Sequence, residues 1–425
     1  MKTVRLGLAG VAALLALALP TLAQANEVTK WNEIAVNTVL AQPPIASQAP
    51  AATVFIATVQ GAVYGAANAV DRHGKPYLVD RSFPKASLDA AVATAAFRVI
   101  DGTFPAQHAT LQAAYTASLA GIPDGAGKDQ GIDVGTMAAD AMLAQGHFSP
   151  MVLPCVFGSG PGVWQPLNGN CDPTPWVRNA VPFIVESSSQ FRTAGPYALT
   201  SAAYAKDVNE VEAWGSLNSA VRSAEQSHIA AFWQSNPASN YNALARRFVD
   251  EQSLTTRESA LMFAMVDLTA ADAIINTWND KYHWTFWRPW AAIQHADTDG
   301  NPGTVAVPGW QPLFDPSLAA STGGVGPPLV TPPYPEHPSG ATTVASATMH
   351  AFAAFFGTND MTFYVTSSRF PGEKLHFDHF SDLWKQVLEA RIWAGIHFRN
   401  ADVQAANVGR EVSDYIDTHQ FAFVH

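Results

Sequence analysis

Three short segments of this chain concentrate cations, hydroxyls and imidazoles of the kind that hold a tetrahedral oxyanion. The first runs from Lys281 to Pro289, with Tyr282, His283, Trp284, Phe286 and Trp287 ahead of Arg288. Lys281 supplies a point charge, and Arg288 a planar fork whose donors match anionic oxygens. Aromatic neighbours lower the local dielectric and strengthen both contacts. The second segment is Pro335, Glu336, His337, Pro338, Ser339, Gly340, Ala341 and Thr342. Ser339 stands where a helix N-cap belongs, and Gly340 lets a ligand approach the backbone. Free amides and the positive end of a helix dipole make an anion site there without any side-chain charge. The third segment carries Arg391 and His397.

Each segment alone has an ordinary explanation: an exposed lysine, an arginine stacked on tryptophan, a plain helix cap, a satisfied core histidine. Their convergence is what would carry chemistry, so the elements around them matter. Pro289 biases Arg288 away from the α region, so the helix carrying Asp280 and Lys281 is expected to stop before Arg288. Arg391 and His397 lie six residues apart, which on an unbroken helix separates them by about 120°. Gly395 offers a C-cap and Asn400 a new N-cap. The expected arrangement is helix, turn, helix, with His397 in the turn and Arg391 pointing into the same pocket.

The rest of the chain reads as helical. Apolar residues recur with helical spacing over 26–40, 47–70, 87–100, 106–121 and 131–145, then 207–217, 222–234, 241–250, 255–279, 339–356, 379–394 and 400–419. Thr255 and Glu258 form a capping-box pattern. The stretch 301–338 is crowded with Pro and Gly, yet it contains Trp310, Leu313, Phe314, Leu329 and Tyr334. It is expected to be a long ordered loop near the site, since such stretches inside a domain are commonly functional. The fold class is all-α: two packed helical bundles, with an N-terminal helical domain over 26–181 and a second, pocket-bearing domain over 182–425.

The N-terminus reads as an export signal. Lys2 and Arg5 precede an apolar run from Leu6 to Leu19, Pro20 breaks it, and Ala23 and Ala25 are the small residues a signal peptidase reads. The run is short of the roughly 20 residues a spanning helix needs. No later run matches that length uninterrupted, so the mature chain, beginning at Asn26, is expected to be soluble, exported and without a transmembrane segment. Cys155 and Cys171 are the two cysteines. In an oxidising compartment they are expected to be bridged. The net charge of −11 argues against nucleic acid as a partner, which needs a basic face.

The three segments also carry a resemblance. The chain resembles the vanadium haloperoxidase and type 2 phosphatidic-acid phosphatase superfamily, whose pattern is Lys, six residues, Arg-Pro; then Pro-Ser-Gly-His; then Arg, five residues, His. Lys281 and Arg288-Pro289 match the first, Pro338-Ser339-Gly340 the second, and Arg391 and His397 the third. The motifs cover roughly 257–412. The Ala-rich helix around 52–70 is similar, less specifically, to the N-terminal part of bacterial vanadium-haloperoxidase-like proteins. The resemblance implies that Lys281, Arg288, Ser339, Gly340 and Arg391 bind the oxygens of vanadate or phosphate. It implies that His397 is the vanadium ligand or, in a phosphatase, the nucleophile, with Asp402 a candidate to orient it.

The superfamily's acid–base histidine should follow Gly340, and this chain has Ala341. His337 and His283 are candidate substitutes. Three functions follow. One is a vanadate-dependent haloperoxidase using hydrogen peroxide and halide. The second is an acid phosphatase acting on phosphomonoesters through a phosphohistidine. The third is a non-catalytic oxyanion-binding protein. The export reading has its own test: when the chain is produced with its leader in an exporting bacterium, intact-mass spectrometry should read a protein beginning at Asn26. A mass for all 425 residues would discard it.

Overall fold

The longest helix is the strut on which the rest is hung. The computed structural model describes residues 26–148, 152–314 and 330–422. The leader, and Leu329 in the Pro/Gly-rich stretch, lie outside them. Numbered among the described residues, helix α10 is Thr256–Trp284, about 44 Å long at 1.5 Å per residue. It starts at the expected capping box: Thr255 Oγ1 accepts from the Glu258 amide, and Glu258 accepts from the Thr255 amide at 2.9 Å. Its polar residues are as instructive as its apolar ones. Asp272, Asn276 and Asp280 are spaced by four, so they share one stripe. Asp272 accepts the successive amides of Phe183, Ile184 and Val185 at 2.6, 2.8 and 2.9 Å. Asn276 exchanges two bonds with the backbone of Phe191. Asp280 takes the Thr193 amide and hydroxyl and pairs with Arg192. An irregular segment with no ladder of its own is thereby zipped onto a helix, its amides satisfied by side-chain carboxylate and carboxamide oxygens.

Before α10 come α1 (Glu27–Leu40), α2 (Pro44–Ser47), α3 (Ala49–Val70), α4 (Leu88–Thr103), α5 (His108–Ala120) and α6 (Ala126–Ala144). Next are α7 (Ala202–Gly215), α8 (Ala224–Phe232) and α9 (Pro237–Glu251). After α10 follow α11 (Pro289–Gln294), α12 (Gly340–Phe356), α13 (Phe380–Trp393) and α14 (Arg399–Ile416). Helices α3, α4 and α6, with α1, pack on one side of α10; α12 and α14, with α13, pack on the other. The two bundles therefore share α10, and one hydrophobic core runs from Val28 to Phe421 through both. Helices α3 and α10 are each long and apolar enough to cross a membrane by length and composition, and the apolar stretch of each is wholly buried in the core.

The helix reading holds, with three omissions. Helices α2 and α11 were not expected, and neither was a hairpin of β1 (Asp360–Thr366) and β2 (Lys374–His379). In the hairpin Phe363 faces Phe377 across the strands, ring centroids 5.6 Å apart. The cysteines are joined as Cys155–Cys171. The stapled excursion is functional in placement: the Trp164 amide donates to Thr285 at 2.8 Å, and the Trp287 amide to Gly162 at 3.0 Å. It thus holds the chain just after α10, where Arg288 sits. Trp310, Leu313 and Phe314 are buried, so the described part of the Pro/Gly-rich stretch is packed.

Asp267, also on α10, generates a pH test. Its Oδ1 accepts from Asn242 at 2.9 Å and its Oδ2 has no partner. Burial pushes its carboxyl up to about 7, against the Asn242 bond and the charge of Arg246. The folded state therefore binds a proton more readily than the unfolded chain, and this group's stabilisation falls as pH rises between about 4 and about 7. Asp267→Asn should leave the melting temperature near pH 4 unchanged and raise it at pH 8. An equal pH slope in both proteins would refute this.

Candidate active site

The three motif segments reach one place by three different backbone devices. Helix α10 carries Lys281 in its last turn and ends at Thr285, which adopts the left-handed conformation at φ 48°. The chain then runs extended to Arg288 (φ −80°, ψ 157°), and Pro289 opens α11, as its ring demands. Ser339 occupies the N-cap of α12, but its hydroxyl meets Thr342 Oγ1 at 3.3 Å instead of a helix amide. The first-turn amides therefore receive no side-chain cap. Helix α13 ends in a Schellman turn: the Ile396 amide donates to Arg391 O at 3.3 Å and the Gly395 amide to Ile392 O at 2.9 Å. Gly395 sits at φ 75°, where a side chain would be strained. This turn ties His397 to Arg391. The N-cap of α14 is Phe398, not the expected Asn400, whose amide goes instead to Asp207 at 2.9 Å.

The cluster is dry. Lys281, Arg288, Ser339 and His397 are no more than 1% exposed. The Lys281 ammonium donates to the carbonyls of Pro335, at 3.1 Å, Glu336, at 3.0 Å, and Pro338. Its three protons are thus taken by the loop that precedes α12. Arg288 Nε donates to Tyr334 O at 2.9 Å, and Nη1 reaches both Ile396 O, at 2.8 Å, and His397 Nε2, at 3.2 Å. Among the described residues, Arg288 Nη2 and Arg391 Nε are buried without a partner. Arg391 Nη1 has one long bond, 3.3 Å, to Gln234. His397 Nδ1 meets Glu336 Oε1 at 2.8 Å.

Asp402 does not reach His397 as expected; it accepts from Thr342 Oγ1 at 2.5 Å. Glu336, from the Pro-rich loop, takes that place. Sequence reasoning passed over it because it lies 61 residues from its histidine. His337 bonds Thr193 Oγ1 at 3.0 Å, and it does not line the cavity beside Arg391 and Ala341. His283, near the end of α10, likewise stays off that cavity. Gly340 lines the cavity and also has a packing role: a Cβ there would meet the Trp278 ring at 2.8 Å, so glycine lets α12 pack on α10.

Burial shifts the charges. It drives Lys281 well below its usual range, and the Arg288 charge adds to this. Arg288 is lowered to about 10, again by burial first. His397 is held well below its ordinary value by burial and then by Arg288, Lys281 and Arg391, so its ring is neutral. Glu336 is pushed up to about 8 and Asp402 to about 7, burial outweighing the cations beside them. His337 falls to about 3 through burial and Lys281.

A cavity of about 200 Å³ opens onto the outer side of the cluster. Arg391, Gly340 and Ala341 line its inner wall, and Trp233, Trp278 and Tyr334 contribute aromatic surface. The unpartnered guanidinium nitrogens of Arg288 and Arg391, together with the uncapped amides of α12, are donors awaiting acceptors. They fit an oxyanion such as vanadate or phosphate, with His397 as the neutral nitrogen ligand.

Comparisons with known proteins bear on the fold. Residues 261–424 match a family model described as the VCPO second helical-bundle domain. An alignment 222 positions long, covering 45% of this chain, is 28% identical to the vanadium chloroperoxidase of Curvularia inaequalis. The chain spans about a third of that relative's length, 35%. The crystal structure of the first bacterial vanadium-dependent iodoperoxidase superposes at a TM-score of 0.68, with 19% identity, over 93% of this chain and 97% of that one. A holo-type bacterial vanadium-dependent chloroperoxidase gives 0.67 with 18% identity, covering 92% and 96%. This is the vanadium haloperoxidase fold.

The carbonyl bonds of Lys281 make it a brace for the loop before α12 in the anion-free protein. Lys281→Met should therefore cost about 3 kcal/mol or more in chemical denaturation without any added anion, because three buried carbonyls lose their donor. Arg391→Met should cost much less, since only one long bond is lost. Equal stability losses in the two variants would remove the brace role.

Proposed function

We propose that this chain is a vanadate-dependent haloperoxidase that acts outside the cytoplasm, converting hydrogen peroxide, halide and a proton to hypohalous acid and water. The observation that carries the reading is the pairing of a neutral, buried His397 with unpartnered guanidinium donors on Arg288 and Arg391. Vanadate held there supplies Lewis-acid activation of peroxide. Arg288, Arg391 and the first amides of α12 hold its oxygens, His397 Nε2 offers the ligand lone pair, and Lys281 fixes the loop that shapes the site. The Cys155–Cys171 bridge supports an oxidising compartment.

The acid phosphatase reading uses the same donors, because phosphate and vanadate share a shape. It also needs a proton for the leaving alcohol. Among the residues lining the cavity, Ala341 stands where the superfamily's acid would be, and Tyr334 is the only neutral side chain that titrates. Burial pushes the Tyr334 hydroxyl up, which makes it a weak acid for that task. The haloperoxidase reaction also takes up a proton, so the missing acid slows both; the likeness to vanadium haloperoxidases is what favours the first reading.

Purified protein loaded with vanadate should oxidise bromide or iodide with peroxide and hydrolyse phosphomonoesters poorly. His397→Ala should abolish the oxidation. Arg391→Ala should weaken vanadate binding about tenfold to a hundredfold, the worth of a charge-assisted contact. Phosphate release without halide oxidation would establish the phosphatase. Vanadate binding with neither activity would establish the oxyanion-binding protein.

A further inference from the structure

We infer that Glu336 is the positioning residue of His397, fixing the ring in the single tautomer and orientation that offers Nε2 as a lone pair; this rests on the oxyanion-site reading. The hydrogen bonds leave no choice of tautomer. A guanidinium has only donors. Arg288 Nη1 lies 3.2 Å from His397 Nε2, so Nε2 accepts and carries no proton. The neutral ring then has its proton on Nδ1, which donates to Glu336 Oε1 at 2.8 Å. A ligating histidine commonly has its other nitrogen fixed in this manner, which sets the tautomer and raises basicity.

Glu336 is itself immobilised from three sides. Its amide donates to Phe286 O at 2.9 Å, its carbonyl accepts from Lys281 at 3.0 Å, and Oε1 also accepts the Phe398 amide at 3.0 Å. One oxygen thus bridges the ring of His397 and the backbone next to it. The competing acid, Asp402, is engaged with Thr342. Glu336 Oε2 is buried with no partner, a cost in stability that packing alone does not require.

The test reads the tautomer in anion-free protein. With ¹⁵N-histidine labelling, NMR should show His397 protonated on Nδ1 and bare on Nε2. Glu336→Gln keeps an acceptor oxygen and should preserve that signature, with affinity for orthovanadate and inorganic phosphate by calorimetry within about threefold. Glu336→Leu should give a mixed or reversed tautomer and lose about tenfold to a hundredfold in both affinities, the usual effect of removing such a partner. Proton on Nε2 in the unmodified protein overturns the proposal even if the leucine variant does not fold. So does a folded leucine variant with unchanged tautomer and affinity. If halide oxidation is absent while tautomer and anion affinity still follow residue 336, the haloperoxidase reading fails and this one stands.

Discussion

Everything around the site answers one constraint: three cations, Lys281, Arg288 and Arg391, are buried beside one another. Isolated buried charge is costly unless hydrogen bonds or counter-charges compensate it. The compensation here is uneven. Lys281 is satisfied by carbonyls, Arg288 partly so, and Arg391 hardly at all. The nearby acids, Glu336 and Asp402, are themselves pushed toward neutrality. The cluster is left with spare guanidinium donors among the described residues, which an oxyanion would fit.

The same constraint explains the composition of the loop before α12. A buried loop must satisfy every backbone N–H it contains. Proline has none, so the prolines at 332, 333, 335 and 338 reduce that demand while keeping their carbonyls. Two of those carbonyls, of Pro335 and Pro338, are the ones Lys281 uses. A proline-rich stretch, which suggests a linker by composition, is here a source of acceptors facing a buried ammonium. On α10 the stripe of Asp272, Asn276 and Asp280 does the converse, supplying acceptors to the amides of 183–193. Through Thr193 that segment reaches His337.

Legibility followed sequence distance. Helices, the capping box at Thr255, the extended Arg288 and the turn at Gly395 were readable because they are local: a periodicity, a cap, a proline or a glycine within a few residues. Lys281, Arg288, Ser339, Arg391 and His397 were readable as a group because their spacing matched a known pattern. Glu336 was not, because its partner is distant and an acid among prolines carries no periodic signal. The stripe on α10 left a trace, three polar residues spaced by four in an apolar helix, but its partners form no regular element. The hairpin showed buried Phe363 and Val365 two residues apart, too short an alternation to stand out between two long helices.

Ala341 separates binding from turnover. It lies in the first turn of α12, and unlike Gly340 and Thr342 beside it, it is only partly buried, since it lines the cavity. The groups that would hold an anion, the guanidinium nitrogens, the helix amides and His397, do not depend on its side chain. The group that would move a proton does. His337 lies off the cavity, its Nε2 bonded to Thr193 Oγ1 and its ring held neutral by burial. A missing acid–base group is typically worth about 10²–10⁴ in rate, whereas the anion site keeps its full set of donors. On the proposed haloperoxidase reading, affinity for the oxyanion and speed of the reaction are therefore set by different residues. On that reading, proton supply falls to solvent in the cavity or to the Tyr334 hydroxyl at its wall.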